Sequence, residues 1–399
     1  MQAIKKVAVG ISGGVDSAVS ALLLKNKGFN LLGIYLRNWD IPDETGHCQA
    51  SEDLEDAKYV CDKLKIPLKE VNFVKEYWNE VFSYMTEEYE KGFTPNPDVL
   101  CNKKIKFDLF FKYAMEHLKV DAIATGHYAR SSYGQFLEKY DSSKNAKLLT
   151  SADANKDQTF FLCQISQQSL RRTMFPVGDL TKDLVRRIAC DNGLEKIAKK
   201  DESTGICFIG KRNFQNFFAE YLKPQQGNFI NISTGKIEGK HNGRHLWTIG
   251  QGCRIGGVKD TLYVADKLHF ENDIVVASGF YHPVLFTESL YTEKPHWISE
   301  GINESESTFD CSFRFQHRKP LINCKVCKFD NGSLFVRLER PLRAITSGQY
   351  AVFYKKDECL GGVKITRPGP SYFSLDKSVP GDYDEYNEFK LQKYAVASS

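Results

Sequence analysis

The chain has 399 residues, 42% hydrophobic and 26% charged, with a formal net charge of +4. That length exceeds one ordinary core and implies three domains, while so small a net charge cannot steer a nucleic acid by its overall field, so RNA affinity would have to come from local patches. No run of about 18 apolar residues occurs, which argues against a membrane helix, and eleven cysteines scattered along the chain do not make a disulfide framework.

The first strand starts within a few residues of Met1, leaving no room for a cleavable signal or a long transit peptide, so secretion is not expected. Cytosol and mitochondrial matrix both fit a reducing compartment. The apolar run Val7-Ala8-Val9-Gly10-Ile11 feeds Ser12-Gly13-Gly14-Val15-Asp16-Ser17, which opens the helical run Ala18 to Leu24. A strand, a glycine turn and a helix start point unpaired N–H groups and the positive end of a helix dipole at the turn, which suits a phosphate. No Gly-x-x-x-x-Gly-Lys-Ser/Thr loop and no Gly-x-Gly-x-x-Gly occurs, so a lysine reaching the β- and γ-phosphates is not expected. Ser12 and Ser17 can donate to phosphate oxygens, Gly13 and Gly14 allow close backbone approach, and Asp16 is the candidate ligand for a magnesium ion bridging the phosphates.

Strand then helix repeats to about residue 210, as in a doubly wound parallel sheet. Leu31 to Leu36 is the second strand, Ser51 to Leu64 a helix, Pro67 to Phe73 a short strand, and Asn102 to Leu118 an amphipathic helix with Asn102 as its N-cap. Asp121 to Thr125 is the next buried strand, ending in Gly126-His127-Tyr128. Ligands of such sheets lie beyond the carboxyl ends of the strands, so Leu36, Gly126 and the glycine loop should meet in one crevice. Periodicity changes after residue 210: we expect a small β-rich domain over 211–290, a β-barrel over 291–378 and a loose tail over 379–399.

Two cysteines stand apart. Cys101 follows Pro95-Asn96-Pro97-Asp98-Val99-Leu100, where two prolines and an asparagine suggest an extended, exposed loop, and Lys103-Lys104 beyond it would favour the thiolate. Asp98 is placed to shuttle a proton. Cys207, in Ser203-Thr204-Gly205-Ile206-Cys207-Phe208-Ile209-Gly210, could equally be a small core residue. Cys324-Lys325-Val326-Cys327 has half the spacing of a zinc site and no second pair follows, so zinc is not expected. The scattered thiols argue equally against an iron–sulfur cluster.

The glycine loop resembles the signature of the PP-loop ATP pyrophosphatases, which adenylate a substrate and release pyrophosphate. Asn96-Pro97-Asp98-x-x-Cys101-Asn102, Thr125-Gly126-His127-Tyr128-Ala129, Lys156-Asp157-Gln158 and the segment around Cys207 together resemble the tRNA-specific 2-thiouridylase family, in its mitochondrial form. The resemblance implies a PP-loop catalytic domain over 1–210 that uses ATP and Mg2+ to adenylate the C2 carbonyl oxygen of the wobble uridine in tRNAs for Lys, Glu and Gln. Two further domains would contact the anticodon stem-loop. It implies nucleotide contacts at Gly10, Ile11, Ser12, Gly13, Gly14, Val15, Asp16, Ser17, Leu36 and Gly126. It also implies a Cys207 persulfide loaded by a sulfur-donor protein, Cys101 as the partner thiol and Asp98 as acid/base. Contacts to the target base and tRNA would come from Asn96, Pro97, Asp98, His127, Lys156, Asp157, Gln158, Arg314, Phe315 and Gln349. Gly250-Gln251-Gly252-Cys253-Arg254 departs from the family's Gly-Gln-Arg. Two rival readings are a PP-loop ligase or amidotransferase that needs no cysteine, and a non-enzymatic, ATP-gated tRNA-binding protein.

Overall fold

The computed structural model describes residues 4–41, 49–201, 214–257, 260–268, 272–298 and 306–381. Its first layer is a parallel sheet built on β1 (Lys6–Gly10), β2 (Asn30–Arg37), β3 (Leu68–Asn72) and β4 (Ala122–Ala124), with Thr173–Met174 beyond β4. The order is β3-β2-β1-β4 and then Thr173–Met174. The chain therefore winds one way from β1 to β3 and the other way from β4, and the reversal lies between β1 and β4. Helices α1 (Val15–Asn26) and α2 (Gln49–Leu64) cover the sheet. Val7, Ala8, Val9, Ile123 and Ala124 are wholly buried, because a parallel sheet with covered faces needs continuous apolar strands rather than alternating ones.

The second sheet has the order Gly252–Cys253, Leu262–Lys267, Ile274–Ser278, Gly227–Asn231, Ile237–His241 and encloses a small core of Phe229, Val264, Ile274 and Val276. Gly252 and Cys253 of the departing motif form an edge strand there, opposite Tyr263 and Leu262.

The third sheet closes on itself. Phe286–Thr292, Leu334–Arg343, Ile322–Lys328, Thr308–Arg314, Tyr350–Lys355 and Glu358–Pro368 pair in that order, and Glu358–Pro368 pairs back to Phe286–Thr292. Closure removes the exposed edges that an open sheet of six strands would leave. The barrel begins at Phe286 rather than at 291, since the strand that closes it is the first one. The first domain, separated from the barrel in sequence by the central domain, is tied to it by strand pairing: the hairpin Ala129–Ser131 with Leu148–Thr150 attaches to Glu358 and Cys359. Cys311 and Cys324 face each other across two barrel strands, their sulfurs 3.6 Å apart, while Cys327, three residues along the strand, projects to the opposite face.

Candidate active site

The glycine loop follows β1 without a break, and Ile11 N–H donates to Ile34 O at 2.8 Å, fixing the loop's start against β2. Gly14 is the N-cap of α1 and offers no capping side chain, so the first N–H groups of the helix face the turn without an acceptor from that position. Inside the loop Ser12 N–H donates to Ser17 Oγ (3.2 Å), and Ser17 Oγ donates to Gly14 O (3.0 Å). Gly13 adopts a φ of +75°, and a Cβ there would lie 2.6 Å from Asp53 O of α2, so glycine is required twice over. Gly126, at the end of β4, is equally confined: a Cβ would fall 2.6 Å from Ser17 N. The β1 and β4 ends, with α1 between them, thus form the crevice at the reversal point, and Leu36 stands half-buried near the end of β2.

A lysine 166 residues away contacts this loop, at its aspartate. Lys182 Nζ lies 2.8 Å from both carboxylate oxygens of Asp16, and Tyr128 OH donates to Asp16 Oδ1 at 2.9 Å. Lys182 opens the helix Lys182–Asp191. A contiguous motif cannot reveal it, because the residue arrives through tertiary packing.

Asn96-Pro97-Asp98 begins a helix rather than an extended loop. Asn96 is the N-cap, its Oδ1 accepting from Val99 N–H at 3.2 Å, and Pro97 occupies the first turn, where its missing N–H costs nothing. The helix Pro97–Cys101 runs straight into π-helical turns over Asn102–Phe110. This corrects two expectations. Asn102 is buried inside the helix and caps nothing, and Cys101 is buried, 5% exposed, instead of reaching solvent. Asp98 and Cys101, three apart, share one face of the helix.

Asp98 is open to solvent at the rim, yet the surrounding protein is dense enough that desolvation raises its pKa, with Lys106 pulling it back. His127 is held well below its ordinary pKa by desolvation and by the same Lys106, so its neutral ring shares a 2.9 Å hydrogen bond with Thr125 Oγ1. Lys106 therefore acts on both groups, a role that its place in a lysine-rich helix did not advertise. Gln349 comes from the barrel: Asn96 Nδ2 donates to Gln349 Oε1 at 3.2 Å, and Gln349 Nε2 donates to Thr94 O at 3.0 Å. Two base-contact candidates 253 residues apart thus meet directly. Lys156 and Gln158 are half-buried, and Gln158 Oε1 accepts from Tyr128 N–H at 2.9 Å.

Three other candidates are not placed to meet RNA in this structure. Asp157 and Arg314 are 3% and 8% exposed and bridge each other between the catalytic domain and the barrel. Thr159 Oγ1 donates to the same aspartate, and the guanidinium also donates to Tyr354 OH at 2.9 Å. Phe315 is buried near Phe313 in the barrel core. Their pattern, a cation beside an aromatic, serves domain packing as readily as base stacking.

Cys207 and its neighbours from 202 to 213 lie outside the described residues. The chain enters that stretch from Lys200, whose Nζ lies 2.8 Å from Asp53 and Asp56 of α2, the helix that backs the glycine loop. It leaves into Phe214–Ala219, where Phe217 packs against Trp39 and Phe82.

Three family models match in succession: the tRNA methyl transferase HUP domain over residues 5–211, the tRNA methyl transferase PRC-barrel domain over 215–278 and the aminomethyltransferase beta-barrel domain over 287–365. The chain is 49% identical over 370 residues to the mitochondrial tRNA-specific 2-thiouridylase 1 of Drosophila melanogaster, covering 92% of this chain and 95% of that one. To the human protein of the same name it is 47% identical over 395 residues, 94% of each chain. To the tRNA-specific 2-thiouridylase MnmA of Bacillus cytotoxicus it is 45% identical over 375 residues, covering 93% and 97%. With likeness of this degree running through all three domains, the chain belongs to the tRNA-specific 2-thiouridylase family.

Proposed function

We propose that this protein is an ATP-dependent sulfurtransferase that replaces the C2 oxygen of the wobble uridine in tRNAs for Lys, Glu and Gln with sulfur, in mitochondria. The observation that carries the reading is the junction of two sites at consecutive residues: Gly126 touches the glycine loop, and His127 shares the field of Lys106 with Asp98. A nucleotide held by the loop and a base held at the Asn96–Gln349 rim would meet there.

The uridine C2 oxygen is a poor leaving group, since it would depart as hydroxide, whose conjugate acid has a pKa of about 15.7. Attack of that oxygen on the α-phosphorus of ATP forms an O-adenylate and expels pyrophosphate. The loop N–H groups and the Ser12 and Ser17 hydroxyls would bind the departing phosphates. Asp16 is of the right type to hold a magnesium ion, which keeps several waters and needs only a carboxylate and phosphates, and the ion would supply charge neutralisation there. The terminal sulfur of a Cys207 persulfide then attacks C2 and displaces AMP, leaving a Cys207–S–S–C2 adduct. The Cys101 thiolate attacks the Cys207 sulfur, the electron pair of the broken S–S bond stays on the transferred sulfur as the C2 thiocarbonyl, and a Cys101–Cys207 disulfide remains for external reduction. Asp98, on the Cys101 face of the helix, would take the thiol proton. The persulfide would come from a sulfur-relay protein.

Cys207→Ala tests the reading. With ATP, magnesium, a persulfide donor and unmodified tRNA, that variant is expected to release pyrophosphate in a burst of about one per active site and to form no thiouridine. Full thiolation by the variant would overturn the persulfide role and favour a ligase that needs no cysteine. Binding of tRNA with no pyrophosphate release from the unsubstituted protein would instead leave an ATP-gated RNA-binding protein.

A further inference from the structure

We infer that Cys311 and Cys324 form a dithiol modification site inside the barrel, which a low-molecular-weight disulfide of the glutathione type closes to a cross-strand disulfide, stapling Thr308–Arg314 to Ile322–Lys328. The site uses neither the glycine loop nor Cys101, and it stands independently of the thiolation reading.

Three observations support it. First, the register sets the two cysteines directly opposite each other in an antiparallel pair. Opposed Cα atoms in such a pair stand roughly 4.5–5.5 Å apart, inside the roughly 4.4–6.8 Å that a disulfide spans. The two sulfurs are already 3.6 Å apart, so side-chain rotation suffices to join them and the backbone can stay in place. Among the described residues no other two cysteines are partners across a strand pair. Cys324 thus faces Cys311 across the strands, and not Cys327 along its own. Second, the two thiols are unequal in a way that orders the reaction. Cys311 is half-buried and within reach of a small reagent, whereas Cys324 is 5% exposed in the barrel core. Contact with Cys311 and burial push the Cys324 thiol up, so it keeps its proton until the second step. Third, the strand that would be stapled carries Arg314, three residues beyond Cys311, whose guanidinium pairs with Asp157 of the first domain. A bridge between residues 13 apart in sequence would therefore hold the strand that presents this interdomain ion pair.

The chemistry is two successive thiol–disulfide exchanges with a reagent RSSR. Cys311, as thiolate, attacks one sulfur of the reagent, forming Cys311–S–S–R and releasing RS⁻, which takes up the proton that Cys311 gave up. Cys324 then attacks the Cys311 sulfur, its proton passing to the second RS⁻ as that leaves. One S–S bond breaks and one forms, two electrons pass from the cysteines to the reagent, and two RSH are released.

The probe is oxidised glutathione, applied to the full chain after reduction and removal of the reductant. Differential alkylation with peptide mass mapping should show Cys311 and Cys324 leaving the thiol pool together and joined to each other, with dithiothreitol restoring both. Cys324→Ser should instead hold glutathione as a stable mixed disulfide on Cys311, because the resolving thiol is gone. Bridge formation should raise the melting temperature of the unsubstituted protein by several degrees. Cys324→Ser treated alike should lack that rise, although it keeps every other cysteine. The inference is overturned if Cys311 and Cys324 stay alkylatable while the exposed Cys190 takes up glutathione, or if either is found bridged to Cys327. A mixed disulfide that persists on Cys311 in the unsubstituted chain would overturn it too, since Cys324 would then not resolve it. A bridge that forms but leaves the melting temperature unchanged or lower would overturn the staple.

Discussion

At Asp98 the fold keeps an acid where its charged form is disfavoured, because the packed rim raises the carboxyl pKa more than Lys106 lowers it. An acid whose folded pKa lies above its unfolded value of about 3.9 stabilises the fold only while protonated. Its favourable contribution is present below the unfolded pKa and is lost as pH rises through the folded pKa. Asp98→Asn is therefore expected to raise the melting temperature at pH 7, with the gain shrinking as pH falls through the raised folded pKa and gone below about 4, while thiouridine formation drops about a hundredfold or more. Thermal scans at the two pH values and a single-turnover thiolation assay check both halves. A variant less stable at pH 7 would mean that the carboxylate is a structural partner. The Asn96-Pro97-Asp98-x-x-Cys101 stretch already marked this residue as the acid/base candidate. Its environment was not legible, because the rim is assembled from a helix and a loop that the sequence separates. Cys101 shows the complementary failure: prolines at 95 and 97 suggested an extended, exposed chain, yet a proline in the first turn after an asparagine cap starts a helix just as well, and here that helix buries the thiol.

Elements bring the nucleotide crevice together, and their ends matter more than their middles. β1 and β4 lie side by side, and Gly126 leaves β4 against the backbone of Asp16 and Ser17. A methyl group at position 126 would meet main-chain atoms that cannot swing aside, so either α1 or the end of β4 must shift. Gly126→Ala should cost about 1–3 kcal/mol of stability and, by displacing the α1 N-terminus, depress pyrophosphate release more than tRNA binding. Denaturant unfolding and a filter-binding assay separate the two effects, and unchanged ATP turnover would show that the crevice tolerates the shift. The strands and helices around this crevice were legible because parallel-sheet strands are uniformly apolar and the glycine loop marks the first helix start. The loop's lysine was not, since Lys182 opens a helix with no motif around it. Nor was the true start of the barrel, because the strand beginning at Phe286 follows the central domain almost directly and only its closing partner, Glu358–Pro368, shows to which sheet it belongs.

In the whole molecule the domains are tied through the site's own supports. Arg314 of the barrel pairs with Asp157 of the catalytic domain, Gln349 props Asn96, and Arg244 and Lys267 of the central domain donate to Glu90 O and Gly92 O at the end of a catalytic-domain helix. Cations at a helix C-terminus satisfy orphan carbonyls and complement the dipole. Burial lowers the Lys267 pKa to about 7, so this tie is made at a real desolvation cost. The barrel accordingly supports the Asn96 rim through Gln349, and the central domain is anchored a few residues before it, at Glu90 and Gly92. Among the described residues no helix is long and apolar enough to cross a membrane. The most direct measurement is the stoichiometry of one turnover with ATP, magnesium, persulfide-loaded protein and unmodified tRNA, with every product counted. Pyrophosphate, AMP and 2-thiouridine are expected in equal amounts, one of each per active site. ADP with inorganic phosphate in place of AMP and pyrophosphate, or thiouridine formed without ATP cleavage, would contradict adenylation as the step that prepares C2 for sulfur.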